Sequence, residues 1–250
     1  MALQEELESQ GNWLFRYRSF LPLLILVAGW GMYLRRVLHP EEFPLFVSKY
    51  ELYYWIVAMA VGLLGLLVRV YTVGYSPKNT SGRNTKVGQV ADVLNQTGIY
   101  SLVRHPLYLG NFLMWLGPAL LTAHLWFVLS FCFLYWVYYE RIMFAEEQFL
   151  RKKFGETYLQ WSYRVPAFLP NFKNFVPTQV SFSWKKVLKK EKNGLSALFL
   201  IFCLFDASVM IFKPEHKPHP VLLGLCIATG VLYVILKVLK KTKLLYESDR

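Results

Sequence analysis

The chain has 250 residues, of which 55% are hydrophobic and 17% aromatic, and its mean hydropathy is +0.30. Soluble domains contain roughly 45–50% apolar residues, so the composition excludes an ordinary soluble domain and indicates a membrane protein. The formal net charge of +12 could suit nucleic acid. A bias of basic residues toward one face of a membrane explains this charge better, so we expect no nucleic-acid partner.

Six windows approach the roughly 20 apolar residues that are needed to cross about 30 Å of hydrocarbon. They predict an all-α fold, a polytopic integral membrane helical bundle of about six transmembrane helices. The predicted spans are 19–38, 52–73, 106–121, 125–140, 195–212 and 220–239. Because only 122–124 separate the third and fourth spans, we expect a tight antiparallel hairpin there. Gly29 and Gly31 in the first span, and Gly62 and Gly65 in the second, predict close helix approach.

The basic residues also predict the orientation of the chain. With six spans, 23 of the 28 Lys and Arg residues fall on the side that holds both termini. Both termini should therefore be cytoplasmic. The expected location is a bacterial inner membrane, or the endoplasmic reticulum of a eukaryote. The short basic segment 184–192 is expected to lie on the membrane surface ahead of the fifth span.

The polar segments divide the chain into three regions. Residues 1–73 hold the first two spans, 74–175 form a candidate catalytic module, and 176–250 hold a basic linker and the last two spans. The three cysteines lie in apolar spans without metal-ligand spacing, so we expect no metal. The sequence leaves the oligomeric state open.

Cationic and phenolic side chains stand at the start of the third span, in the segment 98–110. Pro106 suits the first turn of a helix, because its missing N–H would be unpaired there. Arg104 and His105 then lie at a helix N-terminus, which favours anions. Ionisable groups at the hydrocarbon edge are functional candidates. The alternative is that these residues only anchor the helix at the membrane interface. The Arg side chain would then reach toward water, and the Tyr side chains would lie among the lipid headgroups.

The loop that precedes this segment is rich in hydroxyl, amide and cationic side chains. Arg83, Asn84 and Lys86 could bind an anionic substrate group there. A solvated connector explains the same composition equally well.

A second polar cluster follows the fourth span. Nothing breaks a helix before Gly155, so this span should continue beyond the membrane, and 158–163 should form a short interfacial helix. Glu140 and Glu147 share one helix face, and Arg141 lies on the adjacent strip. Such a carboxylate pair beside an arginine can bind an ammonium or orient an anion. A network of surface ion pairs is the alternative.

Together, the two clusters resemble the isoprenylcysteine carboxyl methyltransferase family and the related phospholipid methyltransferases, in a bacterial-type form. The resemblance rests on Arg-His-Pro-Leu-Tyr-Leu-Gly at 104–110, followed after one hairpin by Glu146-Glu147, by Phe-Gly-Glu-Thr-Tyr at 154–158 and by two later Pro residues. It covers 98–170. It implies an integral-membrane enzyme that uses S-adenosylmethionine in a cytoplasmic pocket. An amphiphilic acceptor would enter from the bilayer, either a membrane lipid or a lipidated substrate.

The motif match also implies roles for individual residues. Arg141 and Glu146 become candidates for catalysis and acceptor recognition. The candidate cofactor contacts are Arg104, His105, Tyr108, Leu109, Gly110 and Glu147. Methyl transfer from a sulfonium is an in-line displacement that needs positioning and exclusion of water. A carboxylate or phosphate acceptor needs no general base, whereas an amine needs one such as Glu146. The basic loop favours a phosphorylated lipid headgroup.

Two other function classes remain open from the sequence. A sterol-type reductase that uses NADPH has a similar C-terminal module, but it normally ends soon after that module. A non-catalytic transporter or scaffold subunit would leave more polar residues near the membrane midplane. Asp206 is the clearest such residue, and it could bond the hydroxyl of Ser208 or a neighbouring helix.

Overall fold

The computed structural model describes residues 2–18, 20–44, 46–77, 80, 83–85, 88–242 and 244–245. For Leu21 and for residues 83–85 and 88–90 it describes the backbone alone. The helices are α1 Leu3–Tyr17, α2 Leu21–Leu38, α3 Glu51–Tyr75, α4 Pro106–Leu120, α5 Leu125–Phe154, α6 Glu156–Arg164, α7 Trp184–Ser208 and α8 Pro220–Lys241. The strands β1 Arg83–Thr85 and β2 Gly88–Val90 form a small antiparallel ribbon, in which Arg83 pairs with Val90.

The helical membrane bundle that the sequence predicts is confirmed, while the number of spans is not. Among the described residues, α3, α5, α7 and α8 are each long and apolar enough to cross a membrane. Helices α1 and α2 pass this test only together, across a bend of 66°. Helix α4 has 15 residues and is therefore about 22 Å long, shorter than the hydrocarbon core. Six spans thus remain a prediction.

Small residues let α3 and α4 pack closely, as the glycines of the second span predict. A Cβ added at Gly65 would lie 2.5 Å from the Gly110 carbonyl oxygen and 2.6 Å from the Met114 nitrogen. A Cβ at Gly117 would lie 2.6 Å from the Ala58 carbonyl oxygen. These neighbours are backbone atoms that cannot move aside, so the contact between the two helices requires glycine.

In the first span, the prediction of close helix approach is wrong for Gly31, whose Cβ would meet nothing within 4 Å among the described residues. A Cβ at Gly29, in contrast, would lie 3.2 Å from the Phe127 ring.

The predicted hairpin between α4 and α5 is confirmed, and α5 continues to Phe154 with Gly155 as its C-cap. Ala123 in the connection has a φ of +48°, in the left-handed region. The short helix after Gly155 is confirmed as α6, which ends at Arg164 before Pro166. The second polar cluster therefore lies on α5 and on the start of α6, which are separated only by Gly155.

The helix that contains the predicted fifth span is longer than that span. Helix α7 begins at Trp184 rather than near 195, because the Ser183 hydroxyl accepts the Lys186 N–H and caps the helix. The basic segment 184–192 forms the first part of α7, and its position at the membrane surface stays a prediction. Asp206 does not bond Ser208. It accepts the His219 N–H at 2.7 Å and contacts His216 Nε2 at 2.9 Å, so it fixes the turn into α8.

The sequence interpretation did not include helix α1, which packs along α5. A side chain at Gly11 would collide with the Arg141 carbonyl oxygen, so the two helices are in close contact there. The Tyr138 hydroxyl donates to the Leu14 carbonyl at 3.0 Å, and Lys152 pairs with Glu8 at 2.6 Å. The signal for α1 was available, because Leu7, Gly11 and Leu14 recur at helical spacing.

Candidate functional site

The start of α4 is held in place by the chain that follows α6. The Arg104 N–H donates to the Pro166 carbonyl at 2.9 Å, and the His105 N–H donates to the Ala167 carbonyl at 3.1 Å. Further on, the Asn171 N–H donates to the Leu102 carbonyl at 2.9 Å. These bonds satisfy backbone groups ahead of Pro106, which begins the helix as predicted. They also bring the two predicted polar clusters together.

Arg104 joins three elements through one guanidinium. Its Nε and Nη2 contact the two oxygens of Glu147 on α5 at 2.9 and 3.2 Å. Its Nη1 donates to the carbonyls of Ser162 and Val165 at the end of α6, at 2.7 and 2.9 Å. A cation at the C-terminus of a helix is favourable, because it satisfies carbonyls that lack intrahelical partners. Arg104 therefore fixes both α6 and the Glu147 carboxylate.

His105 lies between the two adjacent carboxylates of α5. Its Nε2 is 2.9 Å from Glu147 Oε1, and its Nδ1 is 3.6 Å from Glu146 Oε2. Burial alone would lower the pKa of His105, but the two carboxylates outweigh burial, so the pKa lies above its ordinary value. Arg104 offsets the charge of Glu147, and the raised pKa of His105 favours the imidazolium between the two carboxylates.

Tyr108 completes this group, which we call the α4–α5 cluster: Arg104, His105, Tyr108, Glu146 and Glu147. The Tyr108 hydroxyl donates to Glu146 Oε1 at 2.6 Å. Its backbone carbonyl accepts the Tyr135 hydroxyl at 2.7 Å. The His105 and Tyr108 rings stack at 5.8 Å between centroids. Five of the predicted site residues thus meet in one place.

The α4–α5 cluster fits the amino-acid end of S-adenosylmethionine by its chemistry. It offers cationic donors at a helix N-terminus for a carboxylate, and carboxylates for an ammonium or sulfonium. The buried Tyr158 hydroxyl beside it has no hydrogen-bond partner among the described residues. Burial and the nearby Glu147 charge both raise the pKa of Tyr158, so this phenol stays protonated beside the Glu147 carboxylate.

Arg141 does not join the α4–α5 cluster. Its Nε donates to Gln10 Oε1 of α1 at 3.0 Å, and its Nη1 donates to the Val137 carbonyl at 3.1 Å. It lies in an open groove of about 610 Å³ between α1 and α5. The groove is lined by Ser9, Gln10, Trp13, Leu14, Leu134, Val137, Tyr138 and Arg141. Arg141 and Glu146, which share one predicted role in catalysis and acceptor recognition, therefore face different surroundings.

The other predicted residues have separate positions. Leu109 is half-buried on α4, and Gly110 packs against Gly65 and the Arg69 side chain, so its observed role is helix contact. Arg83 and Asn84 belong to β1, whose side chains are not described, and Lys86 lies outside the described residues. The structure therefore gives no contact for the predicted anion-binding loop.

Residues 56–157 match the family model described as phospholipid methyltransferase. The chain is thus a helical membrane protein in which residues 56–157, called here the family segment, are similar to phospholipid methyltransferases. The resemblance to the isoprenylcysteine carboxyl methyltransferase and phospholipid methyltransferase family is confirmed by this match and by the relatives described next.

Three relatives illustrate the similarity. The protein-S-isoprenylcysteine O-methyltransferase of Schizosaccharomyces pombe is 36% identical over 73 residues, 29% of this chain and 31% of that protein. Protein-S-isoprenylcysteine O-methyltransferase B of Arabidopsis thaliana is 35% identical over 29% of this chain and 37% of its own length. The cobalt-zinc-cadmium resistance protein CzcN of Cupriavidus metallidurans is 32% identical over 45% of this chain and 49% of its own length.

These alignments span about a third to a half of each relative's length. No solved structure gives a significant match to this chain. Helices α7 and α8 lie beyond the segment that the family model matches.

Proposed function

We propose that this protein is a membrane methyltransferase that uses S-adenosylmethionine and acts on an amphiphilic acceptor, namely a lipid headgroup. The α4–α5 cluster carries this proposal, because it combines balanced cations and carboxylates at the N-terminus of a helix in the family segment. The similarity to two isoprenylcysteine O-methyltransferases supports methyl transfer over the reductase and transporter alternatives.

The proposed cofactor contacts are those of the sequence interpretation. His105 and Arg104 would bind a carboxylate, Glu147 would bind the ammonium, and Tyr108 would orient Glu146 through their hydrogen bond of 2.6 Å. Tyr158, a buried phenol beside Glu147, extends this set. When bound, S-adenosylmethionine supplies the methyl group on an electrophilic sulfonium. The side chains then need to bind, orient and exclude water.

The groove between α1 and α5 is the proposed acceptor surface. Trp13, Leu134 and Val137 offer apolar area for a lipid chain, and the Arg141 guanidinium beside them would contact an anionic headgroup. Arg83, Asn84 and Lys86 remain proposed headgroup contacts. A phosphate or carboxylate acceptor would react without a base, and an amine acceptor would lose its proton to Glu146.

The membrane orientation belongs to the same proposal. Both termini and the α4–α5 cluster would face the cytoplasm, since 23 of the 28 basic residues lie on that side of six predicted spans. The module 74–175 would perform the chemistry, with 1–73 and 176–250 as flanking membrane helices. The membrane would be a bacterial inner membrane, or the endoplasmic reticulum in a eukaryote.

The decisive experiment supplies methyl-labelled S-adenosylmethionine to membranes that contain the protein and then separates lipid from protein. Label in a lipid that is absent from control membranes supports the proposal and identifies the acceptor. Label in protein alone contradicts the lipid headgroup. No label in either fraction, together with binding of NADPH and not of S-adenosylmethionine, would overturn the methyltransferase. His105→Ala and Glu147→Ala should each abolish binding of the labelled cofactor.

A further inference from the structure

Lysines collect at one end of the helical pair α7–α8. The first three turns of α7 and the last two turns of α8 contain eight of them: Lys185, Lys186, Lys189, Lys190, Lys192, Lys237, Lys240 and Lys241. Because a short connection joins the two helices and they pack side by side, the start of α7 and the end of α8 lie at the same membrane face. This end is distant in sequence from the α4–α5 cluster.

Three of these lysines converge on the crevice between the helices. The Lys192 side chain is largely buried, with 8% of its surface exposed, and its Nζ donates to the Lys189 carbonyl at 2.9 Å. The ammonium groups of Lys237 and Lys240, on the facing helix, are close enough to repel that of Lys192. Like charges held close together repel each other, so this arrangement favours a bound anion.

The described residues provide no carboxylate for these three lysines. Glu191 is the only acidic residue near the start of α7, and both of its oxygens are bound by Arg69, at 2.7 and 2.9 Å. The sequence of α8 contains no Asp or Glu. No ion pair to Lys192, Lys237 or Lys240 occurs within the described part of the chain.

We propose that Lys192, Lys237 and Lys240 bind the phosphate-bearing headgroup of an anionic phospholipid, and we call this group the lysine site. Basic pockets between membrane helices favour such headgroups. A lipid suits the site better than a soluble anion, because the adjoining faces of the helices expose Val234, Val238 and Leu200 for its acyl chains.

The lysine site goes beyond the proposed methyl transfer, because it lies on α7 and α8, outside the family segment 56–157. The bound lipid would be a tightly held boundary lipid that stabilises the helical pair, not the methyl acceptor. Its detection therefore needs no enzymatic activity, and it succeeds or fails independently of the proposed reaction.

The test compares matched double variants of the full-length protein purified in a neutral detergent. Native mass spectrometry measures retention of phosphatidylglycerol against phosphatidylcholine. Lys237 and Lys240 are exposed, so K237Q/K240Q should fold normally. The control K213Q/K217Q removes the same charge at the opposite end of the two helices, where both lysines are exposed. Each lysine near a headgroup contributes about fivefold in affinity, so the first pair should weaken phosphatidylglycerol binding about 25-fold.

The expected result is a clear preference of the wild-type protein for phosphatidylglycerol, lost in K237Q/K240Q and unchanged within twofold in K213Q/K217Q. Equal effects of the two double variants would overturn the site, because binding would then follow net charge alone. No preference in the wild-type protein would overturn it as well. Displacement of the lipid by millimolar inorganic phosphate would overturn the lipid assignment in favour of a small anion.

Discussion

The carboxylate of Glu147 is the centre of the α4–α5 cluster, and Glu147→Gln tests its role with little change in shape. The substitution removes one negative charge that contacts Arg104 at 2.9 and 3.2 Å and His105 at 2.9 Å. The amide of glutamine could accept one of these bonds, but it cannot neutralise two cations. We therefore expect loss of both stability and cofactor affinity.

The magnitude of this loss follows from burial. Removing one partner of a fully buried ion pair costs about 3–5 kcal/mol. The side chains of Arg104 and Glu147 are 15% and 22% exposed, and Arg104 keeps its two carbonyl partners, so partial solvent screening reduces the cost. We expect a free energy of unfolding lower by about 2 kcal/mol and a Tm lower by about 5 °C.

Thermal unfolding in detergent and titration with S-adenosylmethionine measure the two effects. Glu140→Gln is the matched control, because Glu140 lies on the same helix, is exposed and has no ion pair among the described residues. It should change the free energy of unfolding by less than about 0.5 kcal/mol. Cofactor affinity should fall at least about tenfold in Glu147→Gln alone. Equal Tm values for the two variants would refute a structural ion pair, and equal cofactor affinities would refute a cofactor contact.

Three further predictions follow from other contacts. Arg141→Ala should leave cofactor affinity unchanged and reduce methyl transfer, as measured by labelled product, because Arg141 lies in the groove and outside the α4–α5 cluster. Gly65→Ala should lower the Tm by several degrees through backbone collision, whereas Gly31→Ala, with nothing near its Cβ, should not. Because the pKa of His105 is raised, its contribution to stability is complete below about pH 6.5 and is lost as pH rises through the folded pKa. Unfolding measured across pH should show this loss, and His105→Gln should remove it.

Much of the site was predictable because the positions of its residues follow from where helices begin and end along the chain. Pro106 marks the first turn of a helix, so the sequence alone placed Arg104 and His105 at the N-terminus of α4. The absence of a helix breaker before Gly155 likewise predicted that Glu147 extends from a continuous α5. Local rules of helix initiation and termination were sufficient in both cases.

The pairing of side chains was not predictable in the same way. Arg141 and Glu147 are six positions apart, so they point about 120° from each other around α5. The sequence does not indicate which helix packs against each of these two sides of α5. In the structure, α1 covers the Arg141 side and α4 covers the Glu147 side. Helix α1 was not predicted because most of its residues are polar and only a narrow stripe of apolar residues follows the helical period.

The sequence by itself determined the helical membrane class, the α4–α5 hairpin and the motif residues, since hydrophobic length and helix capping act over short stretches of chain. Only the tertiary structure decided that Asp206 fixes a turn, that α1 packs along α5 and that Arg104 bridges α5 and α6. These outcomes depend on contacts between residues distant in sequence. Such contacts form only when whole helices pack, because each buried charge must then find its partner.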